Sequence, residues 1–361
     1  MQILELLNLA KWFDNTVVTP GIISEYGTLS SLITQNAQRG TGQAIPFEDQ
    51  KNKLFESIKD INYNSLTLEQ IKYLERIKVS DLLGESGINQ IEAIISKHNL
   101  DIATAAEKIE DISKIISNAE DNFAEITRIL KKTFGSEDGY ELPEGHIQLR
   151  IYFKDDVAIN NLSDFKELSS LWYSIGRGFA MAQNDAPESI TILGAEKGSI
   201  IIDLCAAVGI VVMISKALIE ALKVVERIQS IRKLHEEVVS LKLDNDIKKS
   251  LADAIANETK DGQSKIVTTL LNGLHLKKES DGDIIKALTQ SIEELIKFLN
   301  KGGAVDIIEP ITPDNEESGT DTENDSYRDK ASELTNNLSE IRALENRIKQ
   351  LENNTINKNN Y

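Results

Sequence analysis

Nine apolar residues, Ile102, Ala105, Ile109, Ile112, Ile116, Ala119, Phe123, Ile126 and Leu130, follow one another in alternating steps of three and four without a miss. Steps of three and four average close to one helical turn, so all nine fall along one side of a single helix. With a rise of about 1.5 Å per residue, that helix is roughly 45 Å long. An apolar edge of this length must be covered by another helix, supplied either by the same chain or by a second subunit. The chain is therefore expected to be mainly α.

Two later segments carry the same signature. Val224, Ile231 and Val238 recur every seven residues inside a helical pattern from Ala206 to about Lys249, with Ile228, Leu234 and Leu241 between them. Near the end, Leu334, Asn337, Ile341, Leu344, Ile348 and Leu351 take successive a and d positions over three heptads. Isoleucine at a with leucine at d favours a parallel two-stranded coil, and an asparagine in the seam fixes register. Three heptads alone are marginally stable, so this helix needs a partner. The expectation is an association seam along these three segments. The helices near 101–133 and 206–249 would form an antiparallel stalk or an oligomer contact, and the C-terminal coil would recruit a second copy or a helical protein partner.

Other textures interrupt the helices. Residues 1–99 read as a bundle of short amphipathic helices, with Thr67 and Gln70 forming a capping box and Gly84 and Gly87 separating two short helices. Residues 100–134 are the long heptad helix. Residues 140–205 read as a small α+β insert. Ile147–Phe153 alternates like a half-buried strand, Ser163 caps a helix to about Ala182, and 189–193 with 199–204 form a hairpin. Residues 206–309 return to helix, with a helix near 265–274 and an edge strand at 304–308. The stretch 310–328 is rich in Asp, Glu, Asn, Thr and Ser and reads as a disordered acidic linker, followed by the short coiled-coil tail 329–361. The fold class is thus mainly α with a β-α-β-β insert.

Composition narrows the function classes. The 361 residues are 40% hydrophobic and 27% charged, enough to bury a core, while aromatics are only 5%. A formal charge of −18 repels phosphate, and no basic cluster stands clear of acids, which disfavours nucleic acid and anionic lipid as partners. One cysteine, Cys205, excludes an intramolecular disulfide framework and a multi-cysteine zinc site. The N-terminus lacks the pattern of a signal peptide, so the expected compartment is the cytoplasm.

Motifs for chemistry are absent. The four histidines, His98, His146, His235 and His275, lie far apart with no metal-binding spacing. Gly176-Arg177-Gly178 sits inside a helical pattern, and Gly194–Gly198 lacks the Gly-Lys-Ser/Thr of a phosphate loop. The acidic loop around Asp155, Asp156 and Asp164 lacks calcium-loop spacing. No cofactor and no metal are expected, and no catalytic residues are assigned. A dispersed carboxylate site is a third function class that nothing in one sequence selects.

One segment sustains an alternative. Ile200, Ile201 and Ile202 precede twelve uncharged residues between Leu204 and Ser215, including Val211 and Val212. Twelve are too few for a membrane span of about 20, and a buried strand followed by a buried helix start accounts for them. The alternative is a conditional membrane element of a pore-forming or membrane-disrupting effector, a layout shared coarsely with α-helical pore-forming toxins. The leading expectation is a non-enzymatic, self-associating structural or interaction protein.

Overall fold

The computed structural model describes residues 3–38, 44–61, 63–134, 142–196, 200–240, 245–274, 282–308 and 322–358. It is mostly helical, with a small four-stranded antiparallel sheet, and divides into two compact units, Met1–Glu141 and Leu142–Tyr361.

The first unit holds α1 (Ile3–Phe13), α2 (Ile22–Gln38), α3 (Glu48–Lys59), α4 (Leu68–Arg76), α5 (Gly84–Lys97) and α6 (Ile102–Phe134). A π-helical turn, Asp14–Val18, follows α1. Thr67 and Gln70 make the expected capping box, and Thr67 Oγ1 also donates to Glu5 across to α1. The two glycines act differently from the expected punctuation. Gly84 starts α5 at φ +64°, while Gly87 lies inside it, where the Leu82 carbonyl approaches so closely that any Cβ would collide. Gly87 is a contact point, so the segment is one helix rather than two.

The stripe on α6 closes within this unit. Ile109, Ile112, Ile116 and Phe123 are buried, with α2 packed along α6 and α1 and α5 beside it. Phe123 stacks on Phe13 at 4.9 Å between ring centroids, and Ser30 on α2 donates to the Ala106 carbonyl. The ends are looser. Ile126 and Leu130 are half-buried and Ile102 is 37% exposed.

The second unit is built on β1 (His146–Phe153), β2 (Thr191–Glu196), β3 (Ile200–Ala207) and β4 (Ala304–Ile308), in the order β2-β3-β1-β4 with every neighbouring pair antiparallel. Five helices accompany the sheet: α7 (Leu162–Ala182), α8 (Val208–Ser240), α9 (Asn245–Leu274), α10 (Gly282–Asn300) and α11 (Thr322–Lys358). Trp172 of α7 and Phe153 of β1 both meet the Phe298 ring of α10 edge-on. Gly176 and Gly178 belong to α7, and Gly178 lets α7 approach Ala287 and Ser291 of α10 more closely than a side chain would allow.

Four boundaries differ from expectation. The cap of α7 is Asn161, which accepts from the amides of Ser163 and Asp164, so the helix starts before Ser163. The long helix stops at Ser240, and a separate helix runs from Asn245 to Leu274, far longer than the pattern near 265–274. Asp244 and Asn245 are residue types that favour a helix start. Residues 322–328, read as linker, are the first turns of α11. Residues 309–321, the tip of the hairpin at 197–199 and the break at 135–141 lie outside the described residues.

The α6 stripe is met by α2, and the α8 stripe is met by α9. Any Cβ on Gly262 of α9 would collide with Val224, and Arg227 pairs with Glu258 at 2.6 Å, so α9 runs back along α8. Ile231 is half-buried and Leu234 is 62% exposed, while the Val238 side chain lies outside the description. Heptads record that a helix needs a neighbour without naming which one.

Candidate functional site

The most unusual chemistry lies on one face of the sheet. Residues directly opposite in an antiparallel ladder share a face. Asp203 on β3 stands opposite Arg150 on β1, and Arg150 stands opposite Asp306 on β4, so acid, base and acid form one row across three strands. All three are buried. Arg150 binds Asp203 through both ends of its guanidinium, Nε to Oδ1 at 2.7 Å and Nη2 to Oδ2 at 2.9 Å. Such a fork is the strong geometry for a carboxylate. The Tyr152 hydroxyl, two residues along the same face, donates to Asp306 Oδ2 at 3.4 Å.

The row is completed by α11. Arg342, itself buried, donates through Nη2 to Asp306 Oδ1 and through Nη1 to Glu345 Oε2 at 2.7 Å. A buried carboxylate is costly to desolvate, and Asp306, opposite Arg150 on the edge strand β4, is paired with a second cation that α11 brings. The network therefore couples α11 to the sheet.

The remaining contacts of α11 follow α8. Leu334, Leu338, Ile341, Leu344 and Ile348 are buried, and Leu351 is half-buried. Glu333 meets Lys216 at 2.7 Å, and one heptad later Glu340 meets Lys223 at 3.0 Å. Arg347 grips Glu226 through Nε and Nη2 at 2.7 and 3.2 Å, and Glu352 accepts from Gln229 at 3.3 Å. Partner numbers rise together, so the two helices run parallel. Asn337, the seam asparagine, donates to Ser215 Oγ at 2.8 Å, and Ser215 donates in turn to the Val212 carbonyl. The parallel pairing expected of the tail with another helix is met by α8 of the same chain. A groove of about 410 Å³ lies beside this contact, over Val212, Met213, Ile219, Ile266 and Leu270, with Asn337 and Glu340 at its edge.

Other sequence-selected residues fall elsewhere. Ile200, Ile201 and Ile202 form the start of β3, and Val211 and Val212 are buried in α8 among the main cluster of the unit. Among the described residues, no helix is long and apolar enough to cross a membrane. Asp164 accepts from Asn160 and Asn161, ordering the loop before α7. Among the described residues, no three His, Cys, Asp or Glu side chains are grouped to hold a metal ion. Arg150, Asp203, Asp306, Arg342 and Glu345 were missed from sequence. The available signal was a lone acid inside an aliphatic strand, Ile202-Asp203-Leu204 and Val305-Asp306-Ile307.

Two outcomes follow from this environment. Burial pushes the Glu345 carboxyl above the usual carboxylate range, with Arg342 opposing and Asp306 reinforcing. Such a group binds its proton more tightly folded than unfolded, so its contribution is present at acid pH and is lost as pH rises from the ordinary carboxylate value through the raised one. The stability of the native protein relative to Glu345→Gln is expected to fall as pH rises above the ordinary carboxylate range, read as urea midpoints of both proteins. The effect is muted because 19% of the side chain stays exposed. A pH-independent difference would contradict the assignment. Burial likewise raises the Cys205 thiol, with Thr191 opposing. A disulfide reagent should label native Cys205 at least about a hundredfold more slowly than in urea, and equal rates would show the thiol accessible.

Compared with known proteins, the chain matches no family model, no curated protein and no solved structure.

Proposed function

We propose that this chain is a non-enzymatic, self-associating structural or interaction protein of the cytoplasm, and that its working element is the docking of α11 on α8. The observation that carries this reading is the character of α11. It is a 37-residue helix, joined to β4 through residues 309–321 and held by side chains of α8 and β4. An element attached in this way can leave and return without dismantling a strand ladder. Its departure would uncover a helix face patterned for another helix, which is how helix-in-groove recognition works.

The charges favour docking over chemistry. Arg150 is engaged by Asp203, and Asp306 by Tyr152 and by Arg342 of α11, so the row binds its own strands and α11. The test is the native mass by light scattering over a concentration series of the full chain. A mass rising above 40.1 kDa towards twice that value is expected. A monomer at every concentration up to about 1 mM, the effective concentration a short tether provides, overturns the reading.

A further inference from the structure

We infer that α11 is an exchangeable element, docking on α8 of a second copy through the contacts it makes on its own. The inference deepens the self-association reading and rests on it.

The docking face is specific and reusable. Lys216 and Lys223 stand one heptad apart and meet Glu333 and Glu340, also one heptad apart. Glu226 reverses the sign and meets Arg347. Between them, Ser215 takes the Asn337 amide at a single register. This helix slid by one turn breaks the Lys216–Glu333, Lys223–Glu340 and Glu226–Arg347 pairs together and takes Asn337 away from Ser215. The partner that fits is therefore another copy of α11. Exchange creates no new surface, because each contact in the dimer is one already present in the monomer.

Charge points the same way. The chain as a whole carries −18, so most of its surface repels a second copy. Residues 322–358 hold seven acidic and six basic side chains, a net of −1. Delivering α11 to another copy thus brings almost none of the repulsion that other faces carry. Geometry permits the delivery. Thirteen residues, 309–321, separate Ile308 from Thr322, a reach of at most about 45 Å. Ile308 pairs with Gln148, which pairs with Cys205 close before the start of α8, so the chain leaves β4 at the end of the sheet where α8 begins. The tether also sets the balance. Covalent attachment favours α11 on its own α8 in dilute solution, and exchange gains as copies are concentrated.

Cross-linking decides the matter in a Cys205→Ala background. One copy carries Lys216→Cys and an affinity tag, a second carries Glu333→Cys, and a third carries both. The copies are mixed in urea, refolded together and treated with a short bis-maleimide. The double variant is expected to cross-link within one chain, reporting that α11 sits on α8. The mixed copies are expected to give a heterodimer whose yield rises roughly in proportion to protein concentration below saturation. Cross-linking in the double variant with no heterodimer at about 1 mM overturns exchange. If light scattering then still reports dimers, self-association stands by another surface and only exchange falls. If it reports monomers, both fall. No cross-link in the double variant denies the α8–α11 contact itself and overturns the inference directly.

Discussion

Replacing Arg342 with methionine is expected to lower the stability of the C-terminal unit by about 3–5 kcal/mol and to free α11 from the sheet. The size follows from what is left behind. Asp306 is buried in β4 with Arg342 and the Tyr152 hydroxyl as its side-chain partners, and methionine fills much of the arginine's volume while removing its charge. The carboxylate then loses the guanidinium that α11 brings to it, and breaking a buried ion pair by removing one partner is costly. The double variant Arg342→Met with Asp306→Leu separates this cause from lost packing. Removing both charges should restore most of the loss, leaving about 1 kcal/mol for the Tyr152 hydroxyl, which loses its acceptor. Arg150 keeps its two bonds to Asp203 throughout. Urea unfolding of the three proteins measures the cycle. A single-variant loss under about 1 kcal/mol would mean that water reaches Asp306 and that the row does not anchor α11.

This anchor was the least legible part of the chain, for a physical reason. The strand at 146–153 shows clean alternation, and alternation in an antiparallel strand ordinarily means one face in the core and one in water. Gln148, Arg150 and Tyr152 therefore read as the wet face. They are covered here because Arg150 finds its carboxylate 53 residues away on β3, and Asp306 finds its guanidinium 36 residues away on α11. Nothing local announces such a pair. The inward stripe of α11 showed the same limit. Leu334, Ile341, Leu344 and Ile348 were readable as seam, while Leu338 and Arg342, also buried, lie just outside the a and d positions because α11 meets the sheet as well as α8. The local devices were readable. The capping box at Thr67, the helix over Ile22–Gln38, the edge strand at 304–308 and the long helix to Phe134 are set by short-range geometry that each segment carries in its own residues.

The same distinction makes Ile116→Asp decisive for the long stripe, with an expected effect larger than that of Arg342→Met. Ile116 is fully buried in the first unit, where Ile109, Ile112 and Phe123 share its side of α6 and α2 runs alongside. A carboxylate there has to be desolvated or protonated, which costs several kcal/mol, and domains of this size hold only about 5–15 kcal/mol in all. The first unit is expected to lose its cooperative unfolding transition, while the second unit, whose core shares no buried residue with it, keeps its own. The chain supplies a probe for each, since its two tryptophans are Trp12 and Trp172, one in either unit. Trp172→Phe leaves Trp12 to report the first unit, and Trp12→Phe leaves Trp172 to report the second. A stripe used as a contact between subunits would behave in the opposite way. Ile116→Asp would then yield a folded protein of lower native mass with both transitions intact, because a seam exposed by dissociation returns its charge to water. Loss of the Trp12 transition with the Trp172 transition unchanged assigns the stripe to the interior of the first unit.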